Sequence, residues 1–427
     1  MTGQILEAMA WLGLDVDEPP VHQADGLERH RADVERLLDS GLAYRCFASK
    51  EELDELRAKT REDVVAFRYR ASPAYDADEA ERRAADGEPH AVFFEIPPGD
   101  ITFDDAVHGL TTVRGDSLDD FVILRSDGTP VYNMAVVSDD VDMGITHVIR
   151  GDDHLSNTPK QILIYSALGA DLPVFAHVPM ILGPDGKRLS KRHGAASVEA
   201  YREEGILAAA LVNFLALLGW SPGDDRELMD LPELIEAFTL ERILRKAGVF
   251  DPKKLEWLNG KYLDATPTER LVPLVADAMD DSGRAIAAAE PERFAAVVDL
   301  QKTRARTIPG IAESSLRYFG NAVACDESAV EKHWLKDRQA AREILAADRD
   351  VIMAADPFDV EALEAGLRGV AEKREVGFGK VIGPLRVALL GVQDSPGIFD
   401  VILLLGRERS IGRIDAALAE LDRQANS

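Results

Sequence analysis

The chain has 427 residues, 46% of them hydrophobic, and its formal net charge is -27 at pH 7. That length predicts two to four domains with ample core, and such acidity argues against indiscriminate binding to nucleic acid, which needs a broadly basic surface. The sequence has no apolar run of about 18 residues and no secretory leader, so we expect a cytoplasmic protein with no membrane partner.

The first part of the chain alternates between helical and strand patterns. Apolar residues at helical spacing predict helices over residues 2–13 and 26–40, and a short strand follows over residues 43–48. Ser49 and Glu52 have the spacing of a capping box, so they mark the start of the next helix. Strand-like patterns then occur over residues 65–69, 91–96 and 101–113.

A turn sequence, Ser126-Asp127-Gly128-Thr129, separates two apolar segments. A glycine in such a short polar connection is typical of a tight turn between strands. We therefore predict a β-hairpin with strands over residues 121–124 and 131–137.

A candidate ligand site follows the predicted buried strand at residues 145–149, where the sequence reads Arg150-Gly151-Asp152-Asp153-His154. Ligands of an open parallel sheet bind beyond the carboxyl ends of its strands, so these side chains are placed to meet one. Arg150 could clasp a carboxylate with two parallel hydrogen bonds. The alternative is an ion pair between Arg150 and Asp153 with no ligand.

A strongly cationic loop follows the apolar run at residues 174–182, which predicts a buried strand ending in the turn Pro184-Asp185-Gly186. Four cations and one hydroxyl come next: Lys187, Arg188, Ser190, Lys191 and Arg192. Cations placed this way can hold nucleotide phosphates and stabilise charge that grows on a leaving group. A solvated charge run is the alternative, but the position after a strand and a turn favours phosphate binding.

The rest of the chain is predominantly helical. Helices are predicted over residues 198–204 and 206–218, and nearly every segment from residue 265 onward is Ala-rich and amphipathic. Two segments, 240–249 and 251–262, carry the cations Arg242, Arg245, Lys246, Lys253 and Lys254. The cations of the C-terminal region include Lys302, Arg304, Arg306, Arg368, Lys373, Arg374, Lys380 and Arg386. For any single one of them, an ordinary solvated cation is the alternative to a nucleic-acid contact.

The segment Arg188-Leu189-Ser190-Lys191-Arg192 resembles the KMSKS loop of class I aminoacyl-tRNA synthetases, in the form used by bacterial glutamyl-tRNA synthetases. Arg188 replaces the first Lys of that loop, which keeps the charge but exchanges a point cation for a planar fork. Essentially the whole chain shares the likeness, through the motifs Pro130-Val131-Tyr132-Asn133, Ile145-Thr146-His147-Val148-Ile149-Arg150-Gly151-Asp152-Asp153-His154, Ser156-Asn157-Thr158-Pro159, Leu215-Ala216-Leu217-Leu218-Gly219-Trp220, Gly383-Pro384-Leu385-Arg386-Val387-Ala388-Leu389-Leu390-Gly391 and Leu405-Gly406-Arg407-Glu408-Arg409.

The resemblance implies an α/β fold, with an incomplete Rossmann-type class I synthetase catalytic domain, an inserted α+β domain and an all-α C-terminal anticodon-binding bundle. It assigns residues 1–25 and 130–200 to the catalytic domain. Residues 26–129 correspond to the inserted domain, which in relatives grips the acceptor end of tRNA. Residues 201–264 then form a region that contacts the tRNA stem, and residues 265–427 form the helical anticodon-binding domain.

The resemblance also implies a glutamate–tRNA ligase, which joins L-glutamate to tRNA(Glu) through a glutamyl-adenylate made from ATP with Mg2+. Tyr132 and Arg150 match family positions that bind glutamate, and Asp153 and His154 match positions that line the ATP site. Core packing is the alternative role for Tyr132, and a surface hydrogen bond is the alternative for His154. Whether tRNA(Gln) is also charged stays open, and a monomer is the family's habit.

The catalytic residues implied by the resemblance are Lys191, Ser190 and Arg188. Neither step of the reaction needs a protein nucleophile, so catalysis would consist of positioning and electrostatics. Lys191, assisted by Arg188 and the Ser190 hydroxyl, would neutralise the reacting phosphate and the departing pyrophosphate.

No zinc is expected. The two cysteines, Cys46 and Cys325, lie far apart and form no CxxC pair, so neither a disulfide framework nor a structural zinc site is indicated. Some relatives bind zinc in the inserted domain through a Cys-x-Cys sequence. The matching place here is Cys46-Phe47-Ala48, which lacks the second thiol.

One family signature is not found in residues 1–25, namely the His-rich HIGH loop that leads from the first strand into a helix facing ATP. We therefore expect an N-terminally truncated chain, with at least about 30 residues of a βαβ unit absent. The alternative is a catalytically silent tRNA-binding or regulatory protein derived from such a ligase.

Overall fold

The computed structural model describes residues 2–62, 66–189 and 197–425. Within those residues the chain divides into two compact units. The mixed unit comprises Gly13–His193 and Leu215–Phe250, and the helical unit comprises Met1–Leu12, Gly194–Phe214 and Asp251–Ser427. Among the helices described, none combines the length and the apolar character needed to cross a bilayer.

The strands described all lie in the mixed unit. They are β1 (Ala43–Cys46), β2 (Ala91–Phe94), β3 (Asp100–Asp105), β4 (Gly109–Arg114), β5 (Phe121–Leu124), β6 (His147–Gly151) and β7 (Val174–Val178). One sheet is antiparallel, in the order β1-β2-β5, and the other has the order β4-β3-β7-β6. In the second sheet β3, β7 and β6 run parallel, while β4 pairs antiparallel with β3.

The α-helices are numbered in chain order. They are α1 (Thr2–Leu12), α2 (Leu27–Asp39), α3 (Lys50–Glu62), α4 (Ala77–Ala85), α5 (Tyr132–Asp142), α6 (Thr158–Ala167), α7 (Val198–Glu203), α8 (Ala208–Leu217), α9 (Leu231–Ala237), α10 (Pro252–Ala265), α11 (Thr268–Asp277), α12 (Asp281–Ala289), α13 (Pro291–Lys302), α14 (Ile308–Leu316), α15 (Glu327–Val330), α16 (Arg338–Ala354), α17 (Val360–Lys373), α18 (Phe378–Leu390), α19 (Ile398–Leu405) and α20 (Arg407–Ala425). The α/β class with a helical C-terminal region is thus confirmed.

The helices of the mixed unit cover its sheets with residues at helical spacing. Val34 and Leu37 of α2, Met134 and Val137 of α5, and Ile164 of α6 are fully buried in one apolar cluster with strand residues. Spacings of three and four residues place such side chains on one helix face. The capping box before α3 is confirmed, because Ser49 N donates to Glu52 Oε2 at 2.7 Å and Glu52 N donates to Ser49 Oγ at 3.2 Å.

The predicted hairpin is only half correct. The turn forms, with Arg125 N donating to Thr129 O at 2.9 Å, and β5 precedes it as expected. The segment after the turn is the helix α5 instead of a strand over residues 131–137. Its buried residues Met134, Val137 and Ser138 follow the helical period, and that period outweighs the β-branched valines.

Three further strand predictions need correction. Residues 101–113 form two strands, β3 and β4, joined by a turn. Residues 66–69 of the predicted strand 65–69 are not in a strand, although Phe67 and Tyr69 are buried. The strand predicted at 145–149 begins at His147 and is not buried, since Ile149 is 51% exposed. Its place at the end of the described strand order explains that exposure.

The helical unit has a core of its own. Residues two turns apart on the same helix face line this core, such as Leu345 and Ile352 of α16 and Ile414 and Leu421 of α20. This confirms the predicted helical character of the chain after residue 265.

A buried arginine joins helix ends within the helical unit. Arg413 is 2% exposed and its guanidinium donates to the carbonyls of Arg317, Phe319, Gly320 and Leu389. Those carbonyls lie at or just beyond the carboxyl ends of α14 and α18, where helix carbonyls lack intrahelical partners. The cation therefore satisfies them and complements the negative ends of two helix dipoles.

A buried carboxylic acid gives the helical unit a testable pH dependence. Asp348 of α16 is fully buried, neither of its side-chain oxygens has a hydrogen-bond partner among the described residues, and burial raises its pKa from 3.8 to about 8. Between those two values the native state binds a proton that the unfolded chain has lost. The free energy of unfolding should therefore fall as pH rises through that window.

We predict that Asp348→Asn flattens this dependence and raises the midpoint of thermal unfolding at pH 8 by about 2 °C or more. Thermal unfolding followed by circular dichroism across that pH range provides the measurement. Asp350→Asn, at an exposed position of the same helix, is the control and should follow the wild type. Parallel pH profiles for wild type and Asp348→Asn would show that Asp348 is ionised in the folded state.

Candidate functional site

The parallel pairing of β6 and β7 places two polar residues next to each other. Arg150 of β6 lies opposite His177 of β7, and Asp105 ends β3 on the other side of β7. All three residues lie at or near the carboxyl ends of their strands. That is the edge of a parallel sheet where ligands bind.

The Arg150 guanidinium is held by hydrogen bonds on two of its three nitrogens. Nε donates to His177 Nε2 at 3.1 Å, and Nη2 donates to Thr158 Oγ1 at 2.8 Å and to Gln161 Oε1 at 2.7 Å. Thr158 and Gln161 belong to α6 and are buried. Among the described residues Nη1 has no partner, so it is the nitrogen that remains available to a ligand.

This geometry limits the predicted two-bond clasp of a carboxylate by Arg150. Such a clasp uses two adjacent guanidinium nitrogens, but Nε and Nη2 already donate within the protein. Nη1 is therefore the nitrogen of Arg150 that a ligand carboxylate can contact without displacing these partners. The alternative ion pair between Arg150 and Asp153 is not found in the described residues, because Asp153 pairs with Arg188.

A buried aspartate supports the histidine next to Arg150. His177 Nδ1 and Asp105 Oδ2 are 2.5 Å apart, and both side chains are fully buried. Burial acts to raise the pKa of Asp105, but hydrogen bonds from His177 and from the N–H groups of His108 and Val107 lower it overall. Burial lowers the pKa of His177 despite the charge of Asp105, and the nearby charge of Arg150 lowers it further. His177 is therefore neutral, beside an ionised Asp105.

Tyr132 and His154 form a second group of side chains above the end of β6. Tyr132 is the first residue of α5 and His154 lies in the short 3-10 helix Asp152–Asn157. Their rings are 5.8 Å apart, and the Tyr132 hydroxyl is 3.4 Å from His154 Nδ1. Tyr132 is 47% exposed, so core packing is not its role.

Arg188 of the cationic loop contacts Asp153, the residue before His154. The predicted turn is present, with Gly186 N donating to Gly183 O at 2.9 Å and Gly186 at a φ of +72° that suits glycine. Arg188 Nη2 then lies 3.1 Å from Asp153 Oδ2, and the Arg188 side chain is 68% exposed. Ser190, Lys191 and Arg192 lie outside the described residues.

The described residues thus bring Tyr132, Arg150, Asp153, His154 and Arg188 together at one end of the sheet. Two guanidinium groups, one fixed and one exposed, offer positive charge to an anionic ligand. Gly151 leaves room for this arrangement, since a Cβ there would lie 2.7 Å from Asp153 Oδ1. Carboxylates and phosphates are the anions that a guanidinium group recognises best.

No group of three or more metal-ligating side chains converges in the part of the chain that the structure describes. Cys46 is buried on β1, and burial raises the pKa of its thiol, which disfavours the thiolate that zinc requires. The absence of zinc stays a prediction.

The candidate tRNA-binding cations differ in what they already contact. Arg245, Lys302 and Arg374 each donate to a backbone carbonyl, of Val107, Thr266 and Glu343 respectively. These three have structural partners.

Arg304, Lys373 and Lys380 are exposed. Half-buried Arg386 donates to Ser395 Oγ at 2.8 Å and to the Gln393 carbonyl at 3.2 Å, so it too has structural partners. Burial lowers the pKa of Arg386, and the charge of Arg304 lowers it further against the opposing charge of Asp394.

Sequence reasoning missed the residues that hold Arg150. His177 and Asp105 look like polar interruptions of apolar strands, and Thr158 and Gln161 look like ordinary helix residues. The usable signal was a single histidine in the predicted strand at 174–182, one strand after the arginine. Only the register, which pairs Arg150 with His177, turns that histidine into a partner.

Two family descriptions match the chain. Residues 1–257 match "tRNA synthetases class I (E and Q), catalytic domain", and residues 268–418 match "Anticodon binding domain". Together these two matches account for most of the sequence.

Similar proteins and structures carry consistent names. "Glutamate--tRNA ligase 1" of Alkalilimnicola ehrlichii is 44% identical over 424 residues, which is 99% of this chain and 88% of that protein. "Glutamate--tRNA ligase 1" of Syntrophus aciditrophicus is 43% identical over 98% of this chain and 86% of that protein. A crystal structure of a glutamate tRNA ligase from Elizabethkingia meningosepticum, in complex with its amino acid, has a TM-score of 0.83 and 30% identity, covering 98% of this chain and 89% of that one.

The free energy of unfolding of two variants tests the difference between a buried partner of Arg150 and the exposed ion pair of Asp153. Gln161 is 2% exposed, accepts from Arg150 and donates to Asn133 Oδ1 at 3.1 Å. Gln161→Leu removes one of the two acceptors of Arg150 Nη2 and the donor to Asn133 Oδ1, so we expect the free energy of unfolding to fall by about 1–3 kcal/mol. Asp153→Ala breaks only an exposed ion pair and should cost less than about 1 kcal/mol. Urea denaturation measures the free energy of unfolding of both variants. Equal losses would contradict the structural role given to Gln161.

Proposed function

This chain belongs to the class I tRNA synthetase family for glutamate and glutamine, and we propose that it is a glutamate–tRNA ligase. It joins L-glutamate to tRNA(Glu) at the expense of ATP. The observation that carries the proposal is the fixed Arg150 guanidinium, which lies 3.5 Å from the carbonyl of His154, the residue that also contacts Tyr132. Arg188 contacts Asp153 at the same end of the sheet. The names of the similar proteins support a ligase over a silent tRNA-binding protein.

The proposed reaction has two steps at one site. A carboxylate oxygen of glutamate attacks the α-phosphate of ATP, and pyrophosphate leaves. The terminal ribose hydroxyl of tRNA then attacks the carbonyl carbon of the glutamyl-adenylate, which releases AMP. Because no covalent bond to the protein forms, the protein acts by positioning and by stabilising charge.

We assign Tyr132 and Arg150 to glutamate, because a cation held by buried partners can fix an acidic amino acid without moving. Asp153 and His154 are assigned to the ATP site, since the Asp153 carboxylate is linked to the exposed Arg188 of the cationic loop. Mg2+ enters with the ATP phosphates, which usually supply much of its coordination.

Lys191 and Ser190 are assigned to the reacting phosphates together with Arg188. Lys191 follows Arg188 by three residues in the sequence, so the position of Arg188 beside Asp153 supports this role for the loop. A cation there lowers the barrier by neutralising negative charge that grows on the leaving pyrophosphate.

The tRNA would be bound by further parts of the chain. We assign residues 26–129 to the acceptor end, residues 201–264 to the stem and residues 265–427 to the anticodon, which leaves residues 1–25 and 130–200 as the catalytic domain. We place Arg304, which is exposed, and Arg386, which is half-buried, among the anticodon-side cations. Assays with tRNA(Glu) and tRNA(Gln) decide whether both are charged.

The catalytic role of the loop predicts a clear difference between two lysines. Lys191→Ala should lower kcat for aminoacylation by about 100-fold or more at saturating tRNA, because it removes charge stabilisation from the transition state. Affinity for tRNA should stay within about twofold. Lys187→Ala, in the same loop, is the matched control and should stay near wild type. A loss of tRNA affinity equal to the loss of kcat would refute the role of Lys191.

The anticodon assignment predicts that a substitution in the helical unit weakens tRNA binding and leaves glutamate binding unchanged. Arg386→Gln should raise KM for tRNA by about tenfold, because a base or phosphate contact of this kind is worth about 1.4 kcal/mol. KM for glutamate at saturating tRNA should not change. Lys380→Ala, an exposed cation on the same helix, should alter KM for tRNA by less than about twofold. Equal effects of both substitutions would point to general electrostatic attraction instead.

A further inference from the structure

The side chains that hold Arg150 form a chain of hydrogen bonds across three strands. Asp105 ends β3, His177 lies on the central strand β7, and Arg150 lies on the neighbouring strand β6. Asp105 Oδ2 is 2.5 Å from His177 Nδ1, and His177 Nε2 is 3.1 Å from Arg150 Nε. A ligand that contacts Arg150 is therefore linked to a fully buried carboxylate through one imidazole.

The hydrogen-bond donors determine the protonation state of His177. Arg150 Nε can only donate, so Nε2 of His177 has to accept and carries no proton. Nδ1 then carries the ring proton and donates it to Asp105. Asp105 is suited to receive it, because its other oxygen accepts from Val107 N at 3.0 Å and from His108 N at 2.9 Å.

The surroundings of His177 keep it in that neutral form. Arg150 faces it from β6 and Asp105 faces it from β3, while His108 lies beyond β3 and Thr158 Oγ1 of α6 is 3.0 Å from Nε2. A second ring proton would point at the Arg150 guanidinium and leave Nε without an acceptor. Burial and the nearby positive charge act against that proton, and the pKa of His177 is lowered accordingly.

We propose that His177, fixed by Asp105, is a positioning residue that orients the Arg150 guanidinium for the amino-acid substrate. His177 contacts no substrate itself. It holds Nε, while Thr158 and Gln161 hold Nη2, and Nη1 is thereby directed to the ligand. The inference rests on the proposed function, since it assumes that the ligand of Arg150 is the carboxylate-bearing substrate.

Two amide substitutions separate this role from simple core packing. In His177→Gln, the side-chain carbonyl oxygen reaches the position of Nε2, so it can accept from Arg150, but the contact to Asp105 is lost. In His177→Asn, the side-chain amide nitrogen reaches the position of Nδ1, so the contact to Asp105 is kept, but Arg150 Nε is left without an acceptor. A positioning role makes the Gln variant the milder one for substrate binding, whereas a role in holding Asp105 makes the Asn variant the milder one.

The experiment measures aminoacylation by the full chain with saturating tRNA, with glutamate and ATP varied in turn. We expect His177→Asn to raise KM for glutamate by about tenfold, with kcat and KM for ATP changed by less than about threefold. His177→Gln should raise KM for glutamate by less than about threefold. The reverse order, or equal rises for glutamate and ATP, would overturn the inference.

Asp105→Asn provides a second route if His177→Asn does not fold. The side-chain amide introduced by this substitution can donate to Nδ1 of His177, which moves the ring proton to Nε2 and turns that nitrogen from an acceptor into a donor facing Arg150. KM for glutamate should then rise about as much as in His177→Asn. An unchanged KM in a folded Asp105→Asn variant would contradict the proposal. Thermal unfolding of each variant fixes an assay temperature below its transition.

Two further variants distinguish the failure of this inference from that of the proposed function. Arg150→Lys should raise KM for glutamate strongly, because an ammonium cannot reproduce the planar fork. If Arg150→Lys does so and His177→Asn does not, only the positioning role is wrong. If Arg150→Lys leaves KM for glutamate unchanged, the substrate assignment itself is wrong. His147→Asn, an exposed histidine of the same strand β6, is the control and should match wild type.

Discussion

The parallel pairing of β6 with β7 is the constraint on which the candidate site depends. In that register Arg150 lies opposite His177. Side chains of a strand alternate between the two faces of its sheet, so a slip by one residue would turn Arg150 away from its partners. Because β7 also pairs with β3 and brings Asp105 into contact with His177, one central strand positions both the cation and the carboxylate that supports it.

A half-buried guanidinium is stable only when its N–H groups are satisfied, since an unpaired charge in a protein interior is costly. Three buried side chains, Thr158, Gln161 and His177, meet that requirement for Nε and Nη2 of Arg150 and leave Nη1 to a ligand. The hydrogen bonds that stabilise the buried part of this charge also decide which nitrogen of Arg150 faces the ligand, and this links them to function. Such a group needs no reorganisation when a carboxylate arrives, which is the condition for efficient electrostatic catalysis.

The cations of the helical unit have to be judged one by one in a protein that is acidic as a whole. The net charge of -27 opposes general attraction of nucleic acid, so contacts to tRNA have to come from particular cations, among which we propose Arg304 and Arg386. Other cations serve the fold. Arg413 satisfies the carbonyls at the ends of two helices, and Arg374 donates to Glu343.

The sequence by itself determined the α/β class, the helical C-terminal region, the capping box at Ser49 and the turn before Arg188, because these follow from local periodicity and turn chemistry. It also pointed to Tyr132, Arg150, Asp153 and His154, through motifs shared with a family. Only the tertiary structure decided that residues 131–137 form a helix, that Asp153 pairs with Arg188, and that Asp105 and His177 support Arg150. These last contacts join residues up to 72 positions apart, and strand register, which no local pattern specifies, brings them together.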